Sequence, residues 1–379
     1  MAQPIVFVRG TGRCGSKTLA NLLGEHPALA RMPNQCLPEE LIDWCEYHLR
    51  ARTAGVTGDA VAAGCRAFFE AYGRCVATRP GMLLHKSTAN VHRLAALLES
   101  WPEAKVVYIV RHPLGVVPAL VACDLFEFKG MYGYDATVTN SLLRWYNDVQ
   151  AYVRSAAFGH PRLLQVHFED MIAEPDRVFE RIYRFIGIDD TVRHTLSGRE
   201  TYDDDFVLSR REREWIIDST AEVAAQLGYD PAAWSREVPA ELADRVDAYP
   251  DRRLEAPPPP ALDGVELVRL ALTEARALGY ERVGLFGAGY LSRLICPYLV
   301  DMPAEIVALF DEHPMLVGGQ LAGIPIHRPE QARELGVQMV IPVTLVHQAK
   351  LLERWILLTG GEIPIRPLWE TRCAAAPTL

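Results

Sequence analysis

Apolar residues in the first part of the chain fall into two kinds of pattern. Short runs rich in Val, Ile and Leu occur in PIVFVRG from Pro4, AKVVYIVRHP from Ala104 and, as a third strand candidate, RLLQVHFED from Arg162. A strand with one wet face alternates polar and apolar residues, so these runs predict strands buried on both faces. The stretches between them carry apolar residues at helical spacing: SKTLANLLGEHP from Ser16, NVHRLAALLESWP from Asn90, and EPDRVFERIYRFIGI from Glu174, with Val178, Ile182 and Phe185 in helical register. Strands and helices in alternation predict an α/β fold, a parallel sheet with helices on either face. From Pro33 to Pro80 the chain reads as mainly helical, with Trp44, Phe68, Phe69 and Tyr72 as core residues. In RHPLGVVPALV, Pro118 starts or kinks a helix.

A different texture begins at DAYPDRRLEAPPPPALDG, Asp247 to Gly264, where four consecutive prolines follow a charged stretch. Proline-rich sequence forms extended, semi-rigid connectors. The expected organisation is therefore a first domain at 1–246, a linker at 247–263 and a smaller domain at 264–379. The smaller domain opens with a helix, GVELVRLALTEARALGY, then a strand, glycine turn and helix in ERVGLFGAGYLSRLICPYLV, then a strand, AEIVALFDEHP, that ends in Asp311. This is a β-α-β unit of Rossmann type. Gly287 and Gly289 match the first two glycines of the dinucleotide fingerprint, Ser292 replaces the third, and Asp311 stands where an acid would bind a ribose. Gly287, Gly289 and Asp311 are thus a candidate nucleotide site. The domain is too short for a dehydrogenase with its own substrate domain, and the alternative is a degenerate Rossmann-like domain serving interaction or acceptor positioning.

Composition narrows the function classes. The 379 residues, 49% hydrophobic and 23% charged, suit a soluble two-domain protein. A formal net charge of -9 argues against nucleic acid as a partner, since counterion release needs a basic surface. No signal-peptide pattern opens the chain and no apolar run reaches membrane-spanning length, so membrane insertion is not expected. Eight cysteines without C-x-x-C pairs favour reduced thiols in the cytoplasm over disulfides or a metal site.

Between the first strand and the first helix lies RGTGRCGSKTL, Arg9 to Leu19. Such a turn aims successive backbone N–H groups and a helix N-terminus at one point, which attracts an anion. Gly10, Gly12 and Gly15 permit close backbone approach, Arg13 and Lys17 add charge, and Ser16 and Thr18 add hydroxyl donors. A nucleoside-triphosphate loop, G-x-x-x-x-G-K-[ST], places its lysine directly after the second glycine. Here Ser16 intrudes before Lys17, which disfavours a P-loop nucleotide kinase, as does the lack of a convincing Walker-type acid after a strand.

GTGRCGSKTLANLLGEHP resembles the 5′-phosphosulfate loop of the sulfotransferases, and KVVYIVRHPLGVVPAL is similar to their 3′-phosphate segment, a strand ending in arginine before an Asp/His-Pro turn. LLHKSTANVHRLAALLESWPEAK, LLQVHFEDMIAEPDRVFERIYRFIGI, and FVLSRRERE with AAQLGYDP resemble further family segments in matching order across about residues 4 to 235, nearest to the tyrosylprotein branch. The resemblance implies a parallel-sheet, P-loop-like domain that transfers a sulfonate from 3′-phosphoadenosine 5′-phosphosulfate to a hydroxyl or amine, without magnesium. Small-molecule, glycan and peptide acceptors all stay open.

The resemblance also implies roles. Arg13, Cys14, Gly15, Ser16, Lys17 and Thr18 would hold the 5′-phosphosulfate, with Arg13 or Lys17 stabilising the leaving phosphate. Lys86 matches the lysine that reaches the sulfonate from the opposite side, and Arg111 the 3′-phosphate arginine. Ser209 matches a donor-contacting serine, although it would equally cap a helix beginning at Arg210. Two positions depart from the pattern: the serine expected eight residues after Arg111 is Ala119, and the histidine expected two after Lys86 is Thr88. A base must take the acceptor's proton. Asn34 occupies the place of the tyrosylprotein-type glutamate, so Glu39 or Glu40 serves if that stretch holds a short insertion, and His85 is a base or a core histidine. Trp145, Tyr146 and Tyr132 line an acceptor pocket or the core. Ala119 and Thr88 keep a further reading open, a non-catalytic nucleotide-binding protein that retains the fold.

Overall fold

In the computed structural model, which describes residues 5–32, 58–77, 79–88, 91–123, 137–194, 196, 206–246, 259–344 and 348–369, the first apolar run becomes strand β1 (Ile5–Gly10), buried at every position. Helix α1 (Ser16–Leu23), β2 (Leu29–Arg31), α2 (Gly58–Val76), β3 (Met82–Lys86), α3 (Leu94–Ser100), β4 (Lys105–Val110) and α4 (Pro113–Ala122) follow. Next come α5 (Val138–Arg154), β5 (Leu163–His167), α6 (Phe168–Ala173), α7 (Pro175–Ile186) and α8 (Arg210–Gln226). The five strands form one sheet in the order β2-β3-β1-β4-β5, and every pair is parallel.

Successive side chains of a strand point to opposite faces. Val6 and Val8 of β1 join Leu19 and Leu23 of α1 and Phe179, Ile182 and Tyr183 of α7 in one apolar cluster. Phe7 faces the other way, with Phe69 of α2 6.0 Å and Trp101 5.6 Å from its ring. Phe68 was expected in the core beside Phe69, and the structure corrects this: Phe69 is 0% exposed and Phe68 53%. Adjacent helical residues lie about 100° apart around the axis, so only one of the two can face the sheet. Pro113 starts α4, and Pro118 lies inside it.

The chain divides into two compact units, Met1–Leu120 with Asp148–Leu242, and Val121–Asn147 with Ala243–Leu379. The second holds α9 (Gly264–Ala277), β6 (Arg282–Phe286), α10 (Tyr290–Ile295), β7 (Glu305–Phe310), β8 (Gln320–Leu321), β9 (Ile324–His327), β10 (Met339–Pro342) and α11 (Gln348–Thr359). Its sheet runs β10-β6-β7-β9-β8, with β8 antiparallel to β9 and the other pairs parallel. Phe286 and Phe310 pack at 5.3 and 5.4 Å from Trp355, whose indole N–H donates to the Ile363 carbonyl at 3.0 Å. Val121–Asn147 groups with this unit although its sequence position precedes the proline stretch. The buried Asn147 side chain supplies a physical tie: it donates to Leu262 O at 2.9 Å and accepts the Gly264 N–H at 2.7 Å. The proline-rich residues 247–258 lie outside the described residues.

Candidate functional site

Parallel strands bring all their carboxyl ends to one edge, and ligands collect there beside the strand at which the order reverses. In the first sheet that strand is β1, flanked by β3 and β4. Val8 pairs with Lys86 and Gly10 with Ile109, so Lys86, the turn after Gly10 and Arg111 leave the sheet side by side. Within the turn Arg13 (φ 62°) and Gly15 (φ 88°) adopt left-handed backbone. Gly15 has a second constraint, since a Cβ there would lie 2.3 Å from the Phe168 ring. Helix α1 has no side-chain cap and no acid in its first turn. Its leading N–H groups have no intrahelical acceptor, and that of Ser16 meets the buried Cys14 sulfur.

The side chains of this segment divide by direction. Cys14 is 0% exposed within the apolar cluster, and burial pushes its thiol up to about 11. The thiol stays protonated, and only the Cys14 backbone remains to meet an anion. Ser16 is buried beside Cys14, Thr18 is half-buried and Lys17 is exposed. The Arg13 side chain donates through Nε to the Ala119 carbonyl at 3.3 Å. Ala119, where a serine was expected, thus uses its backbone to hold the loop arginine. Arg111 is 4% exposed, with Nη1 3.4 Å from the Arg13 carbonyl and its guanidinium 4.5 Å over the Phe168 ring.

Other expected residues fall further away in role. Ser209 is the N-cap of α8: its hydroxyl accepts the Glu212 N–H at 3.3 Å and its own backbone N–H donates to the Glu212 carboxylate at 2.6 Å, a reciprocal capping box. His85 is buried between Phe7 and Phe69. Trp145 is buried. Asn34, Glu39, Glu40, Trp44 and Tyr132 lie outside the described residues. Sequence reading passed over Arg9, a buried arginine on β1 that donates to the His85 carbonyl at 3.2 Å and lies 4.8 Å over Phe7. A charge closing an otherwise apolar run was the signal. It also passed over a pocket of about 360 Å³ whose walls include His112, Pro118, Leu208, Arg213 and Trp234.

In the second unit, Gly287 (φ 103°) turns the chain after β6, and its N–H donates to Phe310 O at 2.8 Å. The Asp311 carboxylate accepts the Ala288 N–H on one oxygen and the His313 N–H on the other, each at 2.8 Å. Gly289 opens α10, which runs six residues before Pro297 enters a 3-10 turn. Among the described residues no group of three or more His, Cys, Asp or Glu is placed to hold a metal, and no helix is long and apolar enough to cross a membrane.

Residues 4–192, which contain the whole first sheet, match the model of the sulfotransferase family. By these residues the chain belongs to the sulfotransferase family. It is 24% identical over 268 residues to protein-tyrosine sulfotransferase A of Caenorhabditis elegans, covering 61% of this chain and 68% of that relative. Over 159 residues it is 24% identical to an omega-hydroxy-beta-dihydromenaquinone-9 sulfotransferase of Mycobacterium tuberculosis, covering 38% of this chain and 40% of that relative. Among solved structures, a sulfotransferase from Alicyclobacillus acidocaldarius aligns with a TM-score of 0.37 at 18% identity, over 60% of this chain and 95% of its own. The family assignment makes the first unit a sulfotransferase unit.

Proposed function

We propose that the first unit transfers a sulfonate from 3′-phosphoadenosine 5′-phosphosulfate to a hydroxyl or amine of a small-molecule, glycan or peptide acceptor. One observation carries the reading: an uncapped helix N-terminus, Lys86 and the nearly buried Arg111 converge at the edge of one parallel sheet. The donor supplies an activated sulfonate on a phosphate leaving group. The chain's part is positioning and charge neutralisation. The N–H groups of Gly15 to Thr18, with Arg13 and Lys17, would hold the 5′-phosphate and stabilise the charge that builds on it as the S–O bond breaks. Lys86 would meet the sulfonate from the β3 side, and Arg111 the 3′-phosphate. The pocket beside His112 and Trp234 suits an adenosine, with an aromatic wall for stacking and Arg213 as a cation. Glu39 or Glu40 remains our candidate base. For the second unit we propose an accessory role, with Gly287, Gly289 and Asp311 as a candidate nucleotide site: each Asp311 oxygen takes one backbone N–H and keeps a lone pair for a ribose hydroxyl.

Calorimetric titration with 3′-phosphoadenosine 5′-phosphate, beside ATP with magnesium and NAD, tests this. The expected result is selective micromolar binding that Arg13→Ala and Arg111→Ala each abolish. Magnesium-dependent ATP binding in its place would return the kinase reading. Tight bisphosphate binding with no sulfonate transfer to any acceptor class would favour a non-catalytic binding protein.

A further inference from the structure

The β4 and β5 strands pair in parallel with Val110 opposite His167. Carrying that register past the strand ends sets Arg111 against Phe168 and His112 against Glu169, and the contacts follow it. The Arg111 guanidinium carbon lies 4.5 Å over the Phe168 ring. The His112 N–H donates to Glu169 Oε1 at 3.1 Å, and Glu169 Oε2 accepts the Tyr229 hydroxyl at 2.9 Å.

We propose that Phe168 and Glu169 are positioning residues for Arg111, which deepens the donor reading above and rests on it. Phe168 acts on two elements at once. One ring lies under the guanidinium and also against Gly15, where a Cβ would come within 2.3 Å. The phosphate loop and the arginine are therefore held to a common surface. Gly115 also lies close to Arg111, since a Cβ there would come within 2.6 Å of Arg111 Nε. A planar cation held against a ring, with a bare backbone close by, keeps one orientation, which bidentate phosphate contact requires.

Glu169 fixes the path of the chain leaving the arginine. His112 precedes Pro113, the first residue of α4, and its carbonyl accepts the Val116 N–H at 3.1 Å, so it is the N-cap. In a capping box the N-cap N–H is taken by a carboxylate of the same helix. Here the carboxylate comes from the first turn of α6, just past β5, instead. Burial first, and the Glu169 charge second, push the Tyr229 phenol upward, so it remains a donor to Glu169.

The alternative is that Phe168 only fills the apolar cluster to which it belongs. Two ligands separate the cases, 3′-phosphoadenosine 5′-phosphate and adenosine 5′-phosphate, which differ by the phosphate assigned to Arg111. Phe168→Leu is expected to weaken the bisphosphate about tenfold more than the monophosphate, the scale of a desolvated cation–π contact. Phe168→Tyr should restore the wild-type ratio. Glu169→Ala should lower the ratio and Glu169→Gln, whose carbonyl still accepts the His112 N–H, should keep it. That pair carries the test if Phe168→Leu does not fold. Equal losses for both ligands, or no loss, overturn the positioning role while leaving the donor reading intact. A wild-type protein that binds neither ligand overturns both.

Discussion

Gly15 carries two demands that no other residue type meets. Its φ of 88° lies in the left-handed region, and the space where a side chain would begin is filled by Phe168. Gly15→Ala is therefore expected to cost about 2 kcal/mol or more, from left-handed strain and overpacking together. Urea unfolding would show it as a lower midpoint with an unchanged slope. The glycine itself was legible, because G-x-x-x-x-G between a strand and a helix is a spacing pattern. Its partner was not. Phe168 closes a strand-like segment, between His167 and Glu169, where a lone aromatic reads as core, and only the β4–β5 register brings its ring beneath Arg111. Ser209 shows the reverse case, since the cap that sequence offered as the plain alternative to a donor contact is what its hydroxyl forms.

At the scale of elements, unbroken apolar runs identified β1 and β4, because a strand buried on both faces needs nothing polar along it, while the half-buried β5 carries Gln165 and His167 among its apolar residues. Strand β2 escaped, being three residues, Leu-Ala-Arg, without a period to detect. The order of strands was also hidden, since it depends on crossovers between segments and on no local pattern. The turns after α1 and α7 add a titratable cluster that sequence reading did not assemble. His194 lies with its Nε2 2.6 Å from the Tyr183 hydroxyl and its Nδ1 3.2 Å from Glu25, while His26 meets Asp189 at 3.1 Å. Burial holds His194 below its ordinary value of 6.5, against the opposing pull of Glu25. The unfolded chain then takes up the proton more readily than the folded one. Stability from this group is fully present above pH 6.5 and is lost as pH falls through the lower folded value. Thermal midpoints should accordingly drop between pH 7 and pH 5, and His194→Gln should flatten that decline; an identical slope in the variant would remove His194 as its source.

For the molecule as a whole, the proline stretch marked where composition changes, but composition says nothing about which earlier residues pack with which later ones. Asn147 supplies that link through one amide that also donates to Leu143 O at 2.8 Å. Asn147→Ala would leave the Leu262 carbonyl and the Gly264 N–H without their side-chain partner. A loss of about 1–3 kcal/mol is expected, the cost of unsatisfied buried polar groups, read as a lower unfolding midpoint.

Those two partners follow Asn147 by 115 and 117 residues. On a ribosome the segment carrying Asn147 therefore emerges well before the chain that completes its surroundings. Contacts so distant in sequence form late, because the loop they close must be paid for in entropy before they reward it. Asn147, and Arg144 whose guanidinium lies 5.8 Å over the Tyr290 ring, would wait in that interval without these later contacts, in a part-folded segment open to chaperones or to aggregation. Halting synthesis at the proline stretch would make that wait permanent.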